Sequence, residues 1–166
     1  MAQGLGGGSQ EAFVQALRTE LEAFQKFHDL LQSEQSALVS GNLEDLLGLA
    51  QRKSAQVALL GRMADGRNRH LQSATGLIDQ AGVTAWEARY DPDGRSGAGR
   101  AWGELLALAR SAKRLNEENG ALINMKLQHN QQALAVLHGV ATQTTNLYGP
   151  DGQAYNASLG RPLGKA

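Results

Sequence analysis

The residues with the best claim to chemistry are the four histidines, His28, His70, His129 and His138. A zinc protease needs a pair of histidines four apart with a glutamate between them, because that spacing puts both rings on one helix face beside a general base. No pair here has that spacing with a carboxylate. Each histidine is therefore expected to be structural or solvated, with His28 a satisfied core residue. Two acidic pairs, Glu44-Asp45 and Glu117-Glu118, could in principle share a proton. On a helix, neighbouring side chains point about 100° apart, which suits a helix start and a solvated face better than an acid/base site. Gly97-Ala98-Gly99-Arg100-Ala101-Trp102 has the opening of a dinucleotide loop, but its third glycine is missing and no strand precedes it. Asn156-Ala157-Ser158 fits the glycosylation pattern without a signal segment to deliver it. No catalytic residue, metal ligand or cofactor site is assigned, and the chain is expected not to be an enzyme.

What must be positioned instead is a set of apolar stripes. Leu17, Phe24, Leu31 and Leu38 fall seven apart, as do Leu43, Ala50, Val57, Ala64, Leu71 and Ile78. A seven-residue beat keeps one stripe of a helix against a partner. Only Ser40, Gly41 and Asn42 separate the two runs, so the second helix folds back on the first. The prediction is all-α: a long antiparallel helical hairpin plus a third long helix, in a coiled-coil-like bundle.

The first helix is expected over 9–39, capped by Ser9, with a seam of Val14, Leu17, Leu21, Phe24, His28, Leu31, Gln35 and Leu38. Gly41 suits a left-handed helix stop, and Asn42 with Asp45 forms an acidic variant of the capping box. The second helix is expected over 43–80, its seam interrupted by Lys53 and Arg67. Residues 81–99 read as a crossover with a short helical turn over Gly82-Val83-Thr84-Ala85-Trp86-Glu87 and a turn at Asp91-Pro92-Asp93-Gly94, flanked by Trp86 and Trp102 as plugs for the end of the bundle. The third helix is expected over 100–145, with Asn116, Asn119 and Lys126 crowding its middle. That crowding is read either as an exposed polar turn or as a hydrogen-bonded patch that sets register. The domain plan is thus a flexible stretch 1–8, one bundle over 9–147, and a flexible tail 148–166 in which Tyr148, Tyr155, Leu159 and Leu163 stand at intervals.

Lys plus Arg and Asp plus Glu both number 16, which argues against a dedicated nucleic-acid binder and against a surface that grips anionic lipid. Cysteine is absent, excluding disulfides and thiolate chemistry. No apolar run approaches the roughly 20 residues that span a bilayer, so no stable membrane insertion is expected. Long amphipathic helices with uncovered apolar surface make a binding module, and a groove between them would dock another helix.

Read in order, several marks carry a family resemblance. Leu30-Leu31-Gln32-Ser33-Glu34-Gln35-Ser36-Ala37-Leu38 leads into Gly41-Asn42-Leu43-Glu44-Asp45-Leu46, then Lys53, Leu59-Leu60 and Arg69. Leu115-Asn116-Glu117-Glu118-Asn119-Gly120-Ala121-Leu122-Ile123 and Leu147-Tyr148-Gly149-Pro150-Asp151-Gly152-Gln153 follow. Over residues 10–155 the chain resembles the FlgN family of flagellar type III export chaperones. The resemblance implies a cytoplasmic chaperone without cofactors. It would bind the C-terminal helical segments of hook–filament junction proteins, prevent their premature assembly and deliver them to the export gate and its ATPase-complex components. It places cargo binding on the second half of the third helix, at Leu122, Ile123, Leu127, Leu134, Leu137 and Val140, and export-gate docking at Tyr148, with Tyr155 a competing candidate. Glu34, Gln35, Asn42 and Glu44 are expected to set the hairpin corner. The alternative is a self-assembling coiled-coil component or escort adaptor of a secretion apparatus.

Overall fold

A computed structural model describes residues 6–145. They form α1 (Gly6–Ser40), α2 (Leu43–Thr75), α3 (Asp79–Tyr90) and α4 (Ala98–Thr145), with no strand among the described residues. The chain divides into two compact units, one ending at Leu122 and one beginning at Ile123. The all-α hairpin with a third long helix is as expected. Helix α1 starts at Gly6, so Ser9 lies inside the helix and does not cap it.

The hairpin corner follows from backbone geometry. Gly41 sits at φ +74°, and the Asn42 amide donates back to the Ala37 carbonyl at 3.0 Å, closing the last turn of α1. Asn42 makes no side-chain cap to α2; its amide donates to the Asp45 carboxylate at 2.6 Å instead.

The second helix ends earlier than its periodicity suggests. Gly76 adopts φ +76° and donates to the Gln72 carbonyl at 2.9 Å, which stops α2 at Thr75 rather than Gln80. The short helical turn expected at Gly82–Glu87 is the middle of a longer helix, α3, opened by Asp79 at φ +52°. The turn after α3 is organised by Asp91. Its carboxylate accepts from the Arg95 amide at 2.8 Å, the Ser96 amide at 3.0 Å and the Ser96 hydroxyl at 2.5 Å. These bonds hold its pKa below the usual carboxylate range, the Ser96 hydroxyl contributing most. Ser96 in turn accepts from the Ala98 amide, so α4 starts two residues before Arg100.

Within the unit ending at Leu122, α1 buries two adjacent flanks. The expected seam from Val14 to Leu38 is buried or half-buried throughout. A second flank of Phe13, Glu20, Ala23, Phe27, Leu30, Glu34 and Ala37 is buried as well, because α2 and α4 cover it from different sides. Helix α2 uses a shifted register. Leu60 and Leu71 face inward as expected; Lys53 and Arg67, expected to snorkel out along their stems, turn inward too, whereas Ala50 and Val57 are exposed and Leu49, Gln56 and Met63 take their place. The side chain of Leu43 lies outside the described residues. The largest cluster joins Phe13 and Leu17 of α1, Leu71 of α2, Val83 and Trp86 of α3, and Trp102 and Leu105 of α4. Both tryptophans plug that end, as expected.

Helix α3 packs close enough to require glycine. A Cβ on Gly82 would lie 2.8 Å from the Leu77 carbonyl oxygen and 3.1 Å from the Leu71 Cβ. Alanine gains about 1 kcal/mol in helix propensity, but a backbone oxygen cannot swing aside as a flexible side chain can. Gly82→Ala is expected to destabilise by about 1–3 kcal/mol. Thermal unfolding checks it; a melting temperature at or above the parent's would show that α3 slides at no cost.

His70 stacks on Phe13 with ring centroids 4.7 Å apart and planes 9° from parallel. Burial lowers its pKa below the ordinary histidine value. The cleft around it is lined by Ser9, Gln10, Ser73, Ala74, Trp86 and Tyr90, none of them acidic. The unfolded chain therefore takes the proton first as pH falls through about 6.5. Stability contributed by neutral His70 is complete above that pH and is lost down to the folded-state pKa. Denaturant unfolding at pH 7 and pH 5 should show a smaller loss in His70→Phe than in the parent. Equal losses would mean that His70 titrates freely.

Candidate functional site

The site is built by the register of α4. Five polar residues that interrupt the sequence seams find partners across the bundle. His28 Nε2 and Ser111 Oγ share a hydrogen bond at 3.1 Å, and Gln35 donates to Glu118 at 3.4 Å. Lys53 donates to both oxygens of Glu34 at 2.9 Å. Asn119, fully buried, donates to Glu34 at 2.8 Å and to the Leu31 carbonyl at 2.9 Å. Arg67 pairs with Glu20 and lies 4.8 Å over the Trp102 ring, whose indole N–H donates to Gln80 at 2.8 Å. Asn119 is thus the hydrogen-bonded patch that the sequence left open, while Asn116 is exposed. Glu34 and Gln35 serve the bundle rather than a binding surface, and Glu44 is exposed at the corner.

These bonds set α4 parallel to α1. The His28–Ser111 and Gln35–Glu118 pairs both span 83 residues of chain.

The sequence-predicted site residues fall into three groups. Leu122 is half-buried, in the unit that holds the bundle. Ile123, Leu127, Leu134 and Leu137 are 43%, 54%, 55% and 65% exposed, on the part of α4 that belongs to the second unit. Val140 lies in α4, but its side chain is outside the described residues, as are Tyr148 and Tyr155 entirely. Ile123, Leu127, Leu134 and Leu137 share one face, since spacings of four, seven and three keep returning to the same side of a helix. No groove is needed to present them; they stand on the helix surface. Sequence reasoning passed over Met125 and Val136, 66% and 65% exposed on the same stretch. Their signal was present: each follows a stripe member by two residues, which in a helix means the opposite face.

Among the described residues no group of His, Asp and Glu could hold a metal ion, and no helix is long and apolar enough to cross a membrane.

Comparison with known proteins agrees with the resemblance. The family model described as FlgN protein matches residues 1–156. The chain is 31% identical over 151 residues to the Flagella synthesis protein FlgN of Yersinia enterocolitica, covering 89% of this chain and 93% of that one. It is 26% identical to the Flagella synthesis protein FlgN of Proteus mirabilis, covering 90% and 94%. No solved structure matches the chain. With a family model that spans nearly its whole length and a relative of this identity and coverage, the chain belongs to the FlgN family.

Proposed function

We propose that this chain is a cytoplasmic export chaperone of flagellum assembly. Family membership supports the flagellar role. The reading goes further: the chain binds the C-terminal helical segments of hook–filament junction proteins, keeps them from assembling early, and hands them to the export gate and its ATPase complex without catalysis. The observation that carries it is the run of exposed apolar side chains from Ile123 to Leu137. Large apolar groups repeated along a helix in water mark a surface kept for a partner. An amphipathic client helix lays its own stripe on such a face, reading anchors three and four apart. Ordering the client on binding costs about 2–5 kcal/mol, which keeps the complex reversible and lets the export machinery strip it. Tyr148, just past α4 in sequence, is the proposed gate contact.

Calorimetric titration with the isolated C-terminal segments of the two junction proteins tests this. Saturable 1:1 binding with a negative heat-capacity change is expected, since apolar surface leaves water. No binding by intact, soluble partners, together with stable homo-oligomers of this chain, would favour the self-assembling coiled-coil component.

A further inference from the structure

Asn119 and Gly120 form the only Asn-Gly pair in the chain. Such a pair is prone to lose ammonia from the asparagine side chain, because glycine has no Cβ to crowd its own nitrogen and its backbone reaches the ring-closing conformation easily. The Gly120 backbone nitrogen gives up its proton and bonds to the side-chain carbonyl carbon of Asn119. The bond from that carbon to Nδ2 breaks, and ammonia leaves. Water then opens the cyclic imide at either carbonyl, giving aspartate or isoaspartate. The sum is asparagine plus water to acid plus ammonia, with no other reactant.

In the docked helix both reacting groups are held. Gly120 lies inside α4, where its N–H belongs to the helix ladder. The Asn119 amide donates to Glu34 and to the Leu31 carbonyl. Reaction therefore needs α4 to open locally, and this is where its hold is weakest within the bundle. Ala98, Ala101, Trp102 and Leu105 anchor the start of α4 in the largest apolar cluster. From Leu106 to Leu122 the helix buries one apolar residue, Ala112, and its bonds to α1 are polar. Asn119 is itself only half satisfied: it is fully buried, and its Oδ1 has no hydrogen-bond partner in the protein. Opening hydrates an oxygen that docking strands. Local opening costs least where buried apolar contacts are few.

The product meets a hostile site. Glu34 Oε2 accepts from the Asn119 amide at 2.8 Å, so an acid at 119 sets a second carboxylate where a donor stood. Lys53 already donates to both Glu34 oxygens and brings one positive charge for two negative ones. Isoaspartate also lengthens the backbone by one carbon, which breaks the helix repeat. We propose that Asn119-Gly120 is a deamidation site gated by undocking of α4 from α1, and that the acid formed there holds residues 106–122 off the hairpin. The modification separates fresh chains from aged ones without any enzyme, and it stands apart from client binding.

The test ages the full-length protein at mildly alkaline pH and follows Asn119 by mass spectrometry of proteolytic peptides. Asn119 is expected to react about tenfold or more slowly than in the same chain unfolded in denaturant. Gln35→Ala with Ser111→Ala removes two bonds to α4 without touching Asn119, and should speed the reaction about tenfold. Gly120→Ala has open space for its Cβ and should slow it about tenfold or more. Asn119→Asp supplies the product directly. Its amides over 106–122 should exchange hydrogen about tenfold faster than the parent's, while those over 98–105 keep their protection. Adding Glu34→Gln, whose amide can donate to the new acid, should recover most of that protection. Equal rates in folded and unfolded chains, or an unchanged rate in the loosened variant, overturn the gating. An Asn119 that stays intact in both folded proteins while the unfolded chain reacts is sealed, and overturns the site. Parent-like exchange in Asn119→Asp shows that the acid redocks, and overturns the hold.

Discussion

Leu134→Asp combined with Leu137→Asp should abolish client binding and leave the folded protein intact. The two side chains are 55% and 65% exposed, so replacing them creates no cavity and strands no charge in a core. In the complex both would be desolvated, and burying an unpaired carboxylate costs several kcal/mol. Two such penalties at neighbouring anchors are worth more than about 100-fold in affinity, since 1.4 kcal/mol is a factor of ten. Calorimetric titration reads the binding, and circular dichroism with thermal unfolding reads the fold. A variant that unfolds would show the stripe to be core in solution. A variant that keeps parent affinity would move the client site elsewhere.

Arg67→Ala should be among the most destabilising single changes in the bundle. The Arg67 side chain is 8% exposed and its partner Glu20 is 2% exposed, so truncation leaves a buried carboxylate with no cation. That situation costs about 3–5 kcal/mol, against the much smaller worth of a surface pair. The guanidinium also covers the Trp102 ring and reaches toward Asp79 at 3.9 Å, so its loss loosens α3 and α4 as well. The control is Arg67→Met with Glu20→Leu, which removes both charges at similar volume and should recover most of the loss. Denaturant unfolding of the three proteins decides the matter. If the single variant loses less than about 1 kcal/mol, the Glu20 carboxylate finds water or another partner, and the pair is not what holds this end together.

The same ion pair shows how far the sequence can be read. Arg67 and Lys53 look like flaws in an apolar seam, and at the sequence level their natural fate is to snorkel outward. In the fold they point inward because Glu34 and Glu20 of α1 stand directly opposite them, at positions that look equally polar in sequence. Pairing of that kind depends on residues 19 to 47 apart in the chain and leaves no periodic trace. The shifted register of α2 has the same origin. Ala50 and Val57 are more apolar than Gln56, yet Gln56 faces inward because its amide donates to the Ala23 carbonyl at 2.8 Å. An apolar count cannot find an inward glutamine.

By itself the sequence determined the helical class, the corner at Gly41, the turn at Asp91, the two tryptophan plugs and the family. Each of these rests on local chemistry: heptad spacing, a residue free to adopt positive φ, an aspartate that caps a turn. Only the tertiary structure decided where α2 stops, because Gly76 takes φ +76° in a stretch whose periodicity continues. Only the tertiary structure divided α4 into a part that packs and a part that stays exposed. Apolar residues on the two parts look alike in sequence. What separates them is partners: up to Asn119, α4 is held against α1 through His28, Gln35 and Glu34, a pairing across more than 80 residues of chain that no local pattern reveals.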